Sequence, residues 1–209
     1  MKRGNKVILF MSLCVISAIF FLGCGGSGSG PGAPGSSGSA DTGIVPRVTV
    51  VTHSDPNGDQ GDIWEIDLVQ DTCTGGTVEK WGNDYAHVTF HGDPINPNVP
   101  STDELFVTNY RVTFFKVNPN LPTIEQMSFS SQTGIYVLPG EDTGPFNFLV
   151  FDTGRKIQMQ NDLNNLNQVN SSLLYNMEIE MWGQDKYGNN VTFPPIEREI
   201  IIADFDHCT

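Results

Sequence analysis

Between Tyr175 and Trp182 the chain alternates strictly, with Tyr175, Met177, Ile179 and Met181 on one side and Asn176, Glu178, Glu180 and Trp182 on the other. A period of two gathers the apolar set on one face of an extended strand but scatters it around a helix, so the stretch predicts a half-buried β-strand. The pattern recurs upstream. In DIWEIDLV, Trp64, Ile66 and Leu68 oppose Glu65 and Asp67, and in YAHVTFH, Ala86, Val88 and Phe90 oppose Tyr85, His87, Thr89 and His91. NYRVTFFKV sends Tyr110, Val112 and Phe114 inward and leaves Arg111 and Lys116 near the surface. Clusters of Gly, Pro, Asn and Asp separate these runs, and that spacing predicts an all-β antiparallel sandwich.

Several connections can be anticipated. Val48 to Thr52 opens the set, and Pro94, Pro97 and Pro100 make a long loop between Phe90 and Leu105, because each proline removes a ladder donor. Ile135 to Leu138 reads as a short strand stopped by Pro139-Gly140, and FNFLVF from Phe146 is apolar on both faces, as a central strand can be. Asp162 to Gln168 carries Leu163 and Leu166 but is too Asn-rich for more than one helical turn. Gly188-Asn189 supplies the left-handed positions of a tight hairpin after Asp185. The closing strand, with Ile196, Ile200 and Ile202, is interrupted by Pro194-Pro195, which places it on an edge or makes it change sheets.

The amino terminus has a different logic. Lys2, Arg3 and Lys6 precede an apolar run from Val7 to Leu22 and a small residue, Gly23, the pattern of a secretory signal. The run is short for a membrane span, which takes about 20 apolar residues. Leu22-Gly23-Cys24 resembles the lipobox of bacterial lipoproteins, and the resemblance implies lipidation of Cys24 and cleavage before it. Phe21 and Leu22 depart from the commonest lipobox residues, so cleavage by an ordinary signal peptidase stays open. Acyl chains bury at about 0.8 kcal/mol per methylene and would hold the protein to a membrane. Gly25, where an inner-membrane lipoprotein of this kind carries Asp, implies the outer membrane. The run GGSGSGPGAPGSSGSA contains nothing that packs and reads as a flexible tether with a reach of roughly 22 Å. The expected organisation is a signal peptide over 1–23, a lipidated cysteine and tether over 24–40, and a folded domain over 41–209.

A body of 169 residues can bury enough surface to fold without metal or disulfide. Taking the leader's three basic residues from the 11 leaves eight against 24 acidic ones, a formal charge of −16. Such a field disfavours nucleic acid and anionic lipid surfaces and favours only cationic partners. Cys14 leaves with the signal and lipid takes Cys24, so Cys73 and Cys208 remain for one bridge in an oxidising compartment, two separate thiols being the alternative.

The runs NYRVTFF and IYVLPG, with the ending MWGQDKYGNN and IIIADF, resemble bacterial surface lipoproteins built on an immunoglobulin-like or fibronectin-like sandwich. The resemblance implies a fold and a location. It carries over no catalytic residue.

Candidate sites are few. Asp55, Asn57 and Asp59 place oxygen ligands at the spacing that opens an EF-hand-type loop, with Asp62 a further carboxylate in the same run, so Ca²⁺ is the one cofactor to consider. The match then breaks, with Gly58 and Gly61 out of place and Ile66 where a bidentate Glu is required; a polar turn accounts for the same residues. His87 and His91 would stand about 13 Å apart on a strand, too far to share a metal, and read as surface histidines. His207 lies between Asp206 and Cys208, but a bridged cysteine is no nucleophile. Trp81, in a Gly-Asn-Asp loop, and Trp182, on a polar face, are candidate exposed binding aromatics, with packing at the rim as the alternative. No GxSxG, HExxH, P-loop or CxxC pattern occurs. These features together predict a non-catalytic outer-membrane lipoprotein, anchored through lipid and acting by contact with an envelope protein. The alternative is an adhesive or carbohydrate-binding module assisted by Ca²⁺.

Overall fold

The computed structural model describes residues 43–54, 64–95, 104–166 and 172–205. They form nine strands and one helix: β1 Ile44–Ser54, β2 Trp64–Asp67, β3 Asp84–Pro94, β4 Leu105–Lys116, β5 Met127–Val137, β6 Asp142–Phe151, α1 Thr153–Leu166, β7 Leu173–Asp185, β8 Asn190–Thr192 and β9 Ile196–Ala203. One sheet has the order β1-β3-β6, and the other β2-β9-β7-β4-β5 with β8 added alongside β7.

The alternating residues face as their period requires. Ala86, Val88 and Phe90 on β3, Val112 on β4, Ile179 on β7 and Ile200 and Ile202 on β9 are fully buried. Aromatic contacts join the two sheets across the core: Phe90 meets Phe193 at 5.6 Å, Tyr110 meets Phe148 at 4.9 Å and Phe114 meets Phe151 at 5.5 Å between ring centroids, all edge-on. Each such side chain contributes about 1.5–3 kcal/mol by leaving water. The Tyr110 hydroxyl adds a polar tie, accepting from the Leu149 N–H at 3.0 Å.

Five expectations need correction. The sandwich is not wholly antiparallel, because β2 runs parallel to β9, with Trp64 beside Ile200 and Asp67 beside Ala203. The FNFLVF strand, β6, is an edge of the smaller sheet; Phe146 and Phe148 face inward with Val88 and Ala86, and the outward side carries an exposed Asn147 and a half-covered Leu149. Ile135 to Val137 is the end of a longer strand that starts at Met127. The Pro194-Pro195 break neither changes sheets nor leaves β9 on an edge, since β8 and β9 both pair with β7 and β2 covers β9. The fifth concerns the helix, which is 14 residues long and starts nine residues before Asp162. Asp152 caps it, its Oδ1 accepting from the Arg155 N–H at 2.9 Å. Lys156, Met159 and Leu163, three and four apart, form its buried face.

Candidate functional site

The outward face of the larger sheet is the first candidate surface. Register places Phe115 beside Asn176, Asn176 beside Glu199, and Glu178 directly opposite Glu197. Like charges directly opposed across a ladder are unfavourable, and among the described residues no cation pairs with Glu178, Glu197 or Glu199. Arg198 instead donates to the backbone carbonyl of Glu197 at 2.8 Å. An open groove of about 540 Å³ crosses these three strands, walled by the glutamates and Arg198 and bordered by Phe115, which is 49% exposed. It offers an apolar contact within an anionic rim.

Farther along the same face Arg111 donates to Glu180, from Nε at 2.7 Å, and its guanidinium carbon lies 5.1 Å from the centre of the Trp182 ring. Trp182 is therefore half-buried beneath a cation and is not a free stacking platform.

On the smaller sheet, His91 lies between two carboxylates, with Nδ1 2.8 Å from Asp142 and Nε2 3.5 Å from Asp93. Arg47 reaches Asp93 at 2.9 Å, and that hydrogen bond holds the Asp93 carboxyl below its ordinary range. His87 is half-buried farther along β3, and its Nε2 is shielded from solvent. The two histidines join no common cluster. Among the described residues no group of three or more His, Cys, Asp and Glu is arranged to hold a metal.

A third arrangement lies inside. Lys156, from the first turns of α1, places Nζ 3.0 Å from Oδ2 of Asp84 at the start of β3, and both side chains are essentially inaccessible. His53, at the end of β1, brings Nε2 to 3.6 Å from the other Asp84 oxygen and stacks on Trp64 with centroids 5.0 Å apart. Trp81 closes the space, its ring 5.5 Å from Lys156 Nζ and its indole N–H donating to the Asp67 carbonyl at 3.2 Å. Asp67, expected on the polar face of β2, is buried. Its Oδ1 accepts from the backbone of Val69 and Phe205. Burial, with a contribution from Glu79, pushes its carboxyl up to about 6 against the pull of those hydrogen bonds and of Lys156.

Of the residues singled out from sequence, Trp81 and Trp182 are half-buried instead of exposed, and each faces a cation in a different part of the molecule. Cys24, Asp55, Asn57, Asp59, Asp62 and Cys208 lie outside the described residues. Cys73 lies within them, in a turn where its N–H donates to the Thr77 carbonyl at 2.7 Å. The sequence reading missed His53, Asp84 and Lys156 altogether. Asp152 followed by Lys156, Met159 and Leu163 at helical spacing was the available signal for the lysine; nothing local marks Asp84 or His53.

No family model matches the chain, and no curated protein matches it. A crystal structure of a protein from Archaeoglobus fulgidus is similar at 12% identity over 75% of this chain and 97% of its own, with a TM-score of 0.37.

Proposed function

We propose that this chain is a non-catalytic lipoprotein of the outer membrane, an immunoglobulin-like sandwich held by lipid on Cys24, which acts by contact with an envelope protein. The observation that carries the reading is the groove across β4, β7 and β9. It pairs an exposed phenylalanine with three glutamates that have no cationic partner among the described residues, and so suits a basic segment bearing an apolar side chain. The strand order supports the fold assignment, since β1-β3-β6 corresponds to strands A, B and E of an immunoglobulin domain and β4-β7-β9 to C, F and G.

A bridge from Cys73 to Cys208 belongs to the same reading. It is supported by the parallel register that sets Asp67, six residues before Cys73, beside Ala203, five residues before Cys208. The carbohydrate-binding alternative has less support, because both candidate tryptophans are half-buried against cations.

The test is photo-crosslinking in intact cells from a probe at Phe115, repeated with Glu197→Lys. The reading expects defined envelope proteins to be captured and the charge reversal to abolish capture. It also expects Cys24→Ser to move the folded protein to the soluble fraction. Equal capture by both forms, or retention on a glycan array with no protein captured, would overturn it.

A further inference from the structure

The buried pair Lys156 and Asp84 poses a chemical problem. Two opposite charges withdrawn from water are tolerated when well-aligned hydrogen bonds occupy their remaining donors and lone pairs. Here Lys156 Nζ, both Asp84 oxygens and His53 Nε2 are all sealed from solvent, and none of them forms a hydrogen bond of good geometry. The walls are the indole rings of Trp81 and Trp64. An ammonium and a carboxylate held 3.0 Å apart in such surroundings are reactants as much as an ion pair.

We propose that Lys156 and Asp84 condense into an intramolecular isopeptide bond, joining Nζ to Cγ, with His53 carrying the protons. The first step is transfer of one ammonium proton to the carboxylate across the 3.0 Å contact. The Nζ lone pair then attacks Cγ, giving a tetrahedral carbon that bears both oxygens. His53, 3.6 Å from Oδ1 and braced by Trp64, takes the excess proton from nitrogen and returns it to the departing oxygen. One N–C bond forms, one C–O bond breaks, one water leaves, and nothing is oxidised or reduced. Apposition replaces chemical activation, because fixing the partners within contact distance is equivalent to a very high effective concentration. The product removes both buried charges. It also ties the first turns of α1 to the start of β3, so unfolding the helix end no longer separates it from the smaller sheet. That suits a domain working outside the cell.

The decisive measurement is made on the native full chain. Protease digestion and mass spectrometry are expected to recover the peptides containing Asp84 and Lys156 as one species lighter by one water, with no tryptic cleavage after Lys156. Asp84→Asn distinguishes the chemistry, since an amide expels ammonia instead of water. The linked Asn variant is expected to have the same mass as the linked wild type. His53→Gln is expected to slow linkage during refolding by about a hundredfold, and an unchanged rate would remove His53 from the mechanism. Recovery of two separate peptides from folded wild-type protein, with a free amine on Lys156 and a free carboxyl on Asp84, would overturn the proposal and leave an ordinary ion pair.

Discussion

Replacing Asp67 by Asn is expected to stabilise the protein at neutral pH, although it alters a buried residue. The Asp67 carboxyl is pushed from its ordinary 3.8 to about 6, chiefly by burial and then by Glu79. The folded state therefore holds a proton more tightly than the unfolded chain does, and the group's contribution worsens as pH rises through this interval. Carrying the charge above about pH 7 costs about 3 kcal/mol, the free energy that corresponds to that displacement. Asparagine keeps an oxygen for the N–H groups of Val69 and Phe205, at 3.2 and 3.1 Å. Its amide nitrogen replaces the Oδ2 that is buried without a hydrogen bond. Urea unfolding of both proteins across about pH 4 to 8 measures the effect. The difference is expected to be near zero at the acid end, to grow through the carboxyl's titration range, and to level off at about 2–3 kcal/mol in favour of Asp67→Asn. A variant less stable than wild type at about pH 8, or a difference that does not change with pH, would refute this account.

Asp185→Ala should cost about 2–4 kcal/mol, because the buried carboxylate accepts from the Tyr187 and Asn189 backbone and the Asn189 side chain, each at 2.8 Å. Burial alone would raise this carboxyl, but the hydrogen bonds outweigh it and hold it below the ordinary range. The gap in melting temperature between the two proteins should therefore be full above that range and close as acid titrates the folded group. Gly183→Ala should cost about 3 kcal/mol in chemical unfolding, since a Cβ there would stand 1.9 Å from the Phe106 carbonyl oxygen; Gly134→Ala, which meets nothing within 4 Å, should be close to neutral. Tyr110→Phe leaves the Leu149 N–H without its 3.0 Å acceptor and should lower stability by about 1–2 kcal/mol in the same assay.

How much could be read in advance follows from the range of each signal. Strand alternation is local, so the inward faces of β3, β4, β7 and β9 were legible residue by residue. The hairpin after Asp185 was legible too, since Gly188 takes the positive φ of 85° that its turn needs. The helix was misjudged because Gly154 and a run of asparagines lower its intrinsic propensity. A side-chain cap at Asp152 and burial of Lys156, Met159 and Leu163 outweigh that deficit. Trp81 and Trp182 could be read either as exposed aromatics or as packing at the rim, and the choice rests on Lys156 and Arg111, distant in sequence, which lie over the two rings.

The order of residues along the chain determined the class of fold, the faces of the principal strands and the acidic character, since each depends on neighbours within a few positions. Tertiary structure alone decided the parallel pairing of β2 with β9, the burial of Asp67, and the meeting of His53, Asp84 and Lys156. The physical reason is that a charged residue's identity says nothing of its dielectric surroundings. Asp84 and Lys156 lose their water only when β3 and α1 pack together and bring the two side chains to 3.0 Å.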